Sequence, residues 1–242
     1  MSAPDSVALE TVTLRPGVLG AAVECPVLWR RSARARRVSL RIDPRAAQVV
    51  VTLPPRTGRR AGLALLQTHA AWVMQRLAAL APARPFAPGS EVPVGGRLHV
   101  IRHAPAARGG AWIEDGVIMV TGAPEFLPRR VADFLRTEAK RRIAVLAAKH
   151  AATLGVKARG IRMKDTRTRW GSCAPDGILA FSWRLVMAPD WVLDYVVAHE
   201  VAHLREMNHS ARFWMHVERL SPHKDAAVEW LREHGPALLR VG

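Results

Sequence analysis

Two histidines separated by three residues, with a glutamate directly after the first, stand in the last quarter of this chain: His199-Glu200-Val201-Ala202-His203. Residues four apart on a helix share a face, so both imidazoles can reach a single ion. Glu200 points about 100° away around the axis and reaches a water on that ion more readily than the ion itself. Neutral imidazoles suit Zn²⁺, and catalytic zinc keeps three protein ligands and one open position. His209, ten residues after His199, is the expected third ligand, with one zinc per chain. An unbroken helix would carry it too far along the axis. Asn208 is therefore expected to end the helix in the left-handed conformation and turn His209 back. With this His and Glu content, the five-residue pattern arises by chance in about two per cent of chains. A histidine at one fixed later position lowers that to roughly one in a thousand, too rare for two idle surface histidines. The chemistry such a site performs is metal-assisted hydrolysis, with Glu200 as general base.

The element that must carry these groups is well marked. Pro189 pre-sets a first helical turn, and Asp190 puts negative charge at the positive end of the dipole. Trp191, Val192, Leu193, Val196, Val197, Val201 and Leu204 supply enough apolar surface to bury the helix. Buried histidines and a buried glutamate need partners, which a metal provides. Tyr195, the only tyrosine, shares the face of His199 and is read as packing, with a polar role near the ion as the alternative. A second cluster runs Thr166-Arg167-Thr168-Arg169-Trp170-Gly171-Ser172-Cys173. Gly171 permits close backbone approach, and Trp170 is an amphipathic anchor. Arg167 and Arg169 alternate with threonines and can share one side of a strand. Arg169, Trp170, Gly171 and Ser172 are the expected substrate-binding residues, with a peptide pairing beside Gly171-Ser172 as an added strand. Cys173 reads as a small hydrophobe, with a fourth metal ligand as the other reading.

Around these clusters the chain alternates β-rich and helical stretches. Residues 1–26 show no sustained period and are expected to be a partly ordered lead-in. Arg37 to Ile42 alternates polar and apolar as a half-buried strand, and Val49 to Leu53 is its hairpin partner. One amphipathic helix is expected over 58–80. Strands follow at 97–102, 112–113 and 117–120, the last two joined by Asp115-Gly116. A long helix over 129–153 is closed by Leu154-Gly155, and two strands (160–166 and 178–185) flank the tryptophan motif. Helices from Ser210 and over 222–239 finish the chain. Loops place the internal boundary near 123–128, giving a β-rich subdomain (27–125) and a metal-binding subdomain (126–242).

Composition limits the partners. Only two cysteines exclude a disulfide scaffold and point to a reducing cytoplasm, and the first residues lack a signal-peptide pattern. No apolar run of 18 residues is present, so no membrane span is expected. The net charge of +16 invites nucleic acid or anionic substrates. Yet 31 of the 36 basic residues are Arg, a bias that a GC-rich genome produces as readily as a ligand does. The arginines at 30, 31, 34, 36, 37 and 41 are read as a solvated edge, because no aromatics interleave with them.

Taken together, Thr168-Arg169-Trp170-Gly171-Ser172-Cys173, Trp183-Arg184-Leu185, Asp194 through Glu200, His209-Ser210 and Phe213-Trp214 resemble the YgjP-like metallopeptidase family. That family is related to the SprT and WLM zinc peptidases, and the resemblance spans roughly 28–240. It implies an α+β, zincin-like core with an N-terminal β-rich extension, zinc on His199, His203 and His209, and Glu200 as the catalytic residue. Ser182 stands where the family usually has Asn, and Glu206 where metzincins carry a turn glycine. A peptide or protein is the first substrate class implied. Some relatives are described as acting on nucleoside triphosphates, in which case Arg167, Arg169 and Arg184 would clamp phosphate oxygens. A DNA-associated, SprT-like protease is the third reading. A purely structural zinc is disfavoured, since such sites are closed by four ligands that usually include Cys.

Overall fold

The computed structural model describes residues 7–17, 21–166 and 168–242. The chain forms two compact units, Met1–Pro82 and Ala83–Gly242.

The first unit contains β1 (Val7–Leu14), β2 (Val23–Arg31), β3 (Ser39–Asp43), β4 (Gln48–Leu53), α1 (Arg59–Thr68) and α2 (Ala70–Ala78). Its sheet runs β1-β2-β4-β3, with β2 and β4 parallel and the other pairs antiparallel. The expected hairpin is β3–β4, with Leu40 opposite Val51 and Ile42 opposite Val49. Cys25, Val27 and Trp29 of β2 alternate into a core with Val49, Val51, Leu53, Leu66 and Val73. Two local expectations change. The single helix over 58–80 is two helices, because His69 leaves helical geometry at φ −102° and ψ 17°. The lead-in contains β1, whose alternation is inverted: Leu9 faces out at 63% exposure, while the Glu10 carboxylate accepts a hydrogen bond from Trp29 Nε1 (2.7 Å) and pairs with Arg59.

The second unit contains β5 (Glu91–Val94), β6 (Arg97–His103), β7 (Ala111–Glu114), β8 (Val117–Val120), α3 (Leu127–Leu154), β9 (Gly160–Lys164), β10 (Gly171–Cys173), β11 (Ile178–Ser182), α4 (Asp190–Ala202), α5 (Ala211–Leu220) and α6 (Lys224–Leu238). One sheet is ordered β5-β6-β8-β7, and a smaller one β10-β11-β9. Asp115 and Gly116 both take positive φ (48° and 75°), the turn geometry that a two-residue hairpin favours. Along α3, Val131, Leu135, Ala139, Ile143 and Ala147 recur every fourth residue and are buried, and Gly155 ends the helix at φ 63°. Val94, Ile101, Ile118 and Val120 of the first sheet share one core with α3, Phe181, Leu185, Val197 and Val201. The compact unit therefore begins at Ala83, and the loop near 123–128 is a turn inside it. Loop composition marks where the chain reverses, not where a core ends. Main-chain bonds from Arg84 N to Arg240 O and from Gly242 N to Arg84 O, both 2.8 Å, join the two ends of this unit. No described helix is long and apolar enough to cross a membrane.

Candidate metal centre

Helix α4 buries most of its residues, including Glu200 and Val201, and ends at Ala202 with His203 as its cap. This is well before Asn208, which is not left-handed. Instead the Asn208 side chain accepts a hydrogen bond from Ser210 N (3.0 Å), and Ser210 Oγ accepts from Phe213 N (3.3 Å) to start α5. His209 returns to α4 because the helix stops early and the next one is capped immediately after it.

The histidine nitrogens of His199, His203 and His209 lie within 4.8 Å of one another, with the rings 4.8–5.2 Å apart between centroids. Nε2 of His199 and Nε2 of His209 are 3.3 Å apart. A tetrahedral ion with bonds of about 2.0–2.1 Å sets its nitrogens roughly 3.3–3.4 Å apart, so this pair already has the spacing of two ligands. His203 Nδ1 lies 3.1 Å from Glu206 O; donating there leaves Nε2 bare for a cation. His199 has no such partner on Nδ1 among the described residues and packs against Tyr195 and Phe213. Burial, then the charges of His203 and His209, pushes His199 down to about 4. Burial also lowers His203, against the bond to Glu206. Both rings are therefore neutral at neutral pH, the state in which imidazole binds metal.

Glu200 is 6% exposed and lies outside the three-histidine cluster. Its carboxyl sits against β10, where a Cβ on Gly171 would come within 2.5 Å of Oε1. The glycine inferred to allow close approach thus admits the chain's own carboxyl. Burial pushes Glu200 up to about 7, against the charge of Arg169 and a bond from the Cys173 backbone N–H. A carboxyl held there can exchange a proton at neutral pH.

The expected substrate-binding residues Arg169, Trp170, Gly171 and Ser172 line one small cavity with Lys164 and Thr166, each with its own neighbours. Arg169 is exposed just before β10, and its charge acts on Glu200. Ser172 is half-buried in the β10 ladder opposite Ala180. Trp170 turns to α6 instead, where a Cβ on Gly235 would come within 3.0 Å of its ring. Arg167 lies outside the described residues. Arg184 is 1% exposed: it donates to Asp165 (2.8 Å), Leu238 O (3.0 Å) and Val241 O, and lies 4.5 Å from the Trp183 ring centroid. It is a structural clamp and cannot reach a substrate phosphate, which corrects its expected place in a phosphate clamp. Cys173 does not join the histidine cluster, and burial with the charges of Glu200 and Asp176 raises its thiol to about 11. At position 182, where the family usually has Asn, the serine hydroxyl is buried and makes no hydrogen bond among the described residues.

Sequence reasoning missed His150, which is 1% exposed on α3 and hydrogen-bonded to Asp194 of α4 (2.9 Å). Burial pushes Asp194 up, but the bond with His150 and the charges of His150 and Lys149 outweigh it and hold the carboxyl below its ordinary range. A signal for it exists in the sequence: His150 interrupts the apolar stripe of α3 beside Ala147 and Ala151.

A family model described as the YgjP-like metallopeptidase domain matches residues 36–234. The chain belongs to the YgjP-like metallopeptidase family. A metal ion and a peptidase activity are properties of that class, and the histidine cluster of this YgjP-like chain is a group that could hold an ion. No curated protein matches the chain. Among solved structures, the crystal structure of the metallopeptidase zymogen of Pyrococcus abyssi abylysin is similar at 21% identity and a TM-score of 0.34. The match covers 38% of this YgjP-like chain and 92% of that one, and the score is too low to define a shared architecture.

Proposed function

We propose that this chain is a zinc-dependent peptidase with a zincin-like catalytic core, in which His199, His203 and His209 hold the ion and Glu200 is the general base. The observation that carries this reading is a cluster of three imidazoles whose nitrogens lie within 4.8 Å of one another, with a buried carboxyl on the same helix but outside the cluster. When bound, zinc supplies a Lewis acid and makes water acidic enough to ionise near neutral pH. Glu200 takes the proton of the attacking water and returns it to the leaving amine. The Cys173 N–H and the backbone at Gly171 hold the carboxyl in place for both transfers. Because β10 is the end strand of its sheet, an extended peptide can lie along Gly171 and Ser172. Burial of Arg184 removes one member of the phosphate clamp that a nucleotide substrate would use.

The test is metal analysis of the purified protein followed by digestion of an unbiased peptide library. One zinc per chain and peptide cleavage are expected. Phosphate release from nucleoside triphosphates without peptide cleavage would replace the reading. His209→Ala removes one of three ligands and lowers metal affinity by at least about tenfold. Unchanged metal content in that variant would move the third ligand to Glu206, His216 or His223. Gly171→Ala forces the Glu200 carboxyl to move, and a misplaced base costs roughly a hundredfold in turnover with zinc retained. Normal turnover in that variant would show that the base has room to spare.

A further inference from the structure

The walls of the histidine cluster carry two cations that the catalytic reading leaves unused. On one wall the Trp214 ring lies 5.6 Å from the His209 ring and 5.9 Å from the His199 ring. Lys224, in the first turn of α6, places Nζ 4.2 Å from the centroid of that indole. The contact fixes a half-buried ammonium over the indole that borders the histidine cluster, and no carboxylate forms an ion pair with it among the described residues. On the β10 wall stands Arg169, exposed and likewise without an ion pair among the described residues. Asp176 pairs with Arg159 at 3.5 Å, and the charge of Arg169 also acts on the buried Glu200 carboxyl. A cation held over an aromatic face keeps its remaining hydrogen-bonding capacity for an anion. The net charge of +16 of the whole chain favours arrival of an acidic ligand over a basic one.

We propose that Lys224, seated on Trp214, and Arg169, beside β10, are specificity residues that receive substrate carboxylates on the two sides of the scissile bond. The peptidase then selects peptides with Asp or Glu flanking the bond it cuts. This rests on the peptidase reading above, and the two are separable by experiment.

The experiment compares peptides identical except for Glu or Gln next to the cleaved bond, using the zinc-loaded full chain at low salt. Glutamate peptides are expected to show kcat/KM about tenfold higher, the scale of one charge-assisted contact. Lys224→Ala should bring the Glu-to-Gln ratio close to one on one side of the bond, Arg169→Ala on the other. Lys224→Arg should keep the preference, and Lys224→Glu should reverse it. Circular dichroism and zinc content check that each variant is folded and loaded. Calorimetric binding of the same peptides to the Glu200→Gln protein reads the subsites without turnover. A wild type indifferent to Glu or Gln in cleavage and binding overturns the proposal, as does a preference that survives Lys224→Ala on both sides of the bond. Glu-selective binding that needs Lys224, with no peptide cleaved, upholds the subsites while the peptidase reading fails. A nucleoside triphosphate that displaces peptide with the same dependence on Lys224, and is itself hydrolysed, reassigns the subsites to phosphate and overturns the acidic-peptide assignment.

Discussion

Replacing Glu200 by glutamine is expected to leave zinc bound and lower turnover by about 10²–10⁴-fold, the range a positioned general base contributes. Glutamine keeps the size of the side chain and accepts the Cys173 N–H bond, but it cannot take up a proton. The metal should stay, because Glu200 lies outside the histidine cluster. The measurement is zinc content alongside kcat/KM on any substrate the wild type cleaves. Near-normal turnover with full zinc would falsify the assignment, and loss of zinc would make Glu200 a structural support of the site. The pH profile gives a second handle. Burial holds the carboxyl at about 7, so activity rises with pH as the base ionises and falls away in acid. A bound cation favours the carboxylate, so the acid limb of the loaded enzyme should lie at or below that value. The glutamine variant should lack this limb.

Arg184→Met is expected to cost about 3–5 kcal/mol of stability, the scale for removing one partner of a buried ion pair. The guanidinium meets Asp165 and two main-chain carbonyls, those of Leu238 and Val241, and no neutral side chain can serve all three. For a unit of this size the loss corresponds to a fall in Tm of roughly 10 °C. Arg184→Lys should recover only part of it, since one ammonium cannot span a fork of partners. A thermal melt of the metal-free protein isolates the effect from zinc binding. An unchanged Tm would show that water replaces the guanidinium at little cost.

What could be read from the chain depended on whether a residue's neighbours in sequence are also its neighbours in space. Helix α4 was legible because its signals are local: Pro189 and Asp190 open it, and His199 and His203 sit one turn apart. The β3–β4 hairpin and α3 were legible for the same reason. Asn208 misled because its side chain closes a turn onto Ser210, an alternative to the left-handed cap that residue type alone does not decide. β1 was hidden because Glu10, a charged residue, faces inward to Trp29 and Arg59 while Leu9 faces out. Arg184 looked accessible to substrate because its carbonyl partners lie more than fifty positions downstream at Leu238 and Val241. The packing of Trp170 against Gly235 was hidden for the same reason, because Gly235 is equally remote in sequence.

The stitching of Arg84 to Arg240 and Gly242 bears on when the enzyme comes into being. During synthesis, the helix carrying His199, Glu200 and His203 leaves the ribosome well before the residues that close the unit. Until Leu238 and Val241 emerge, their carbonyls cannot meet Arg184, and the segment leading to Gly171 lacks its brace. The contacts of Arg84 with Arg240 and Gly242 have nearly the greatest sequence separation the unit allows, and such contacts form late because their loop-closure entropy must be met first. The segment leading to β10 is therefore braced only after Leu238 and Val241 have emerged. In the function proposed above, a nascent chain carries its histidines before the strand that borders Glu200 has its full support.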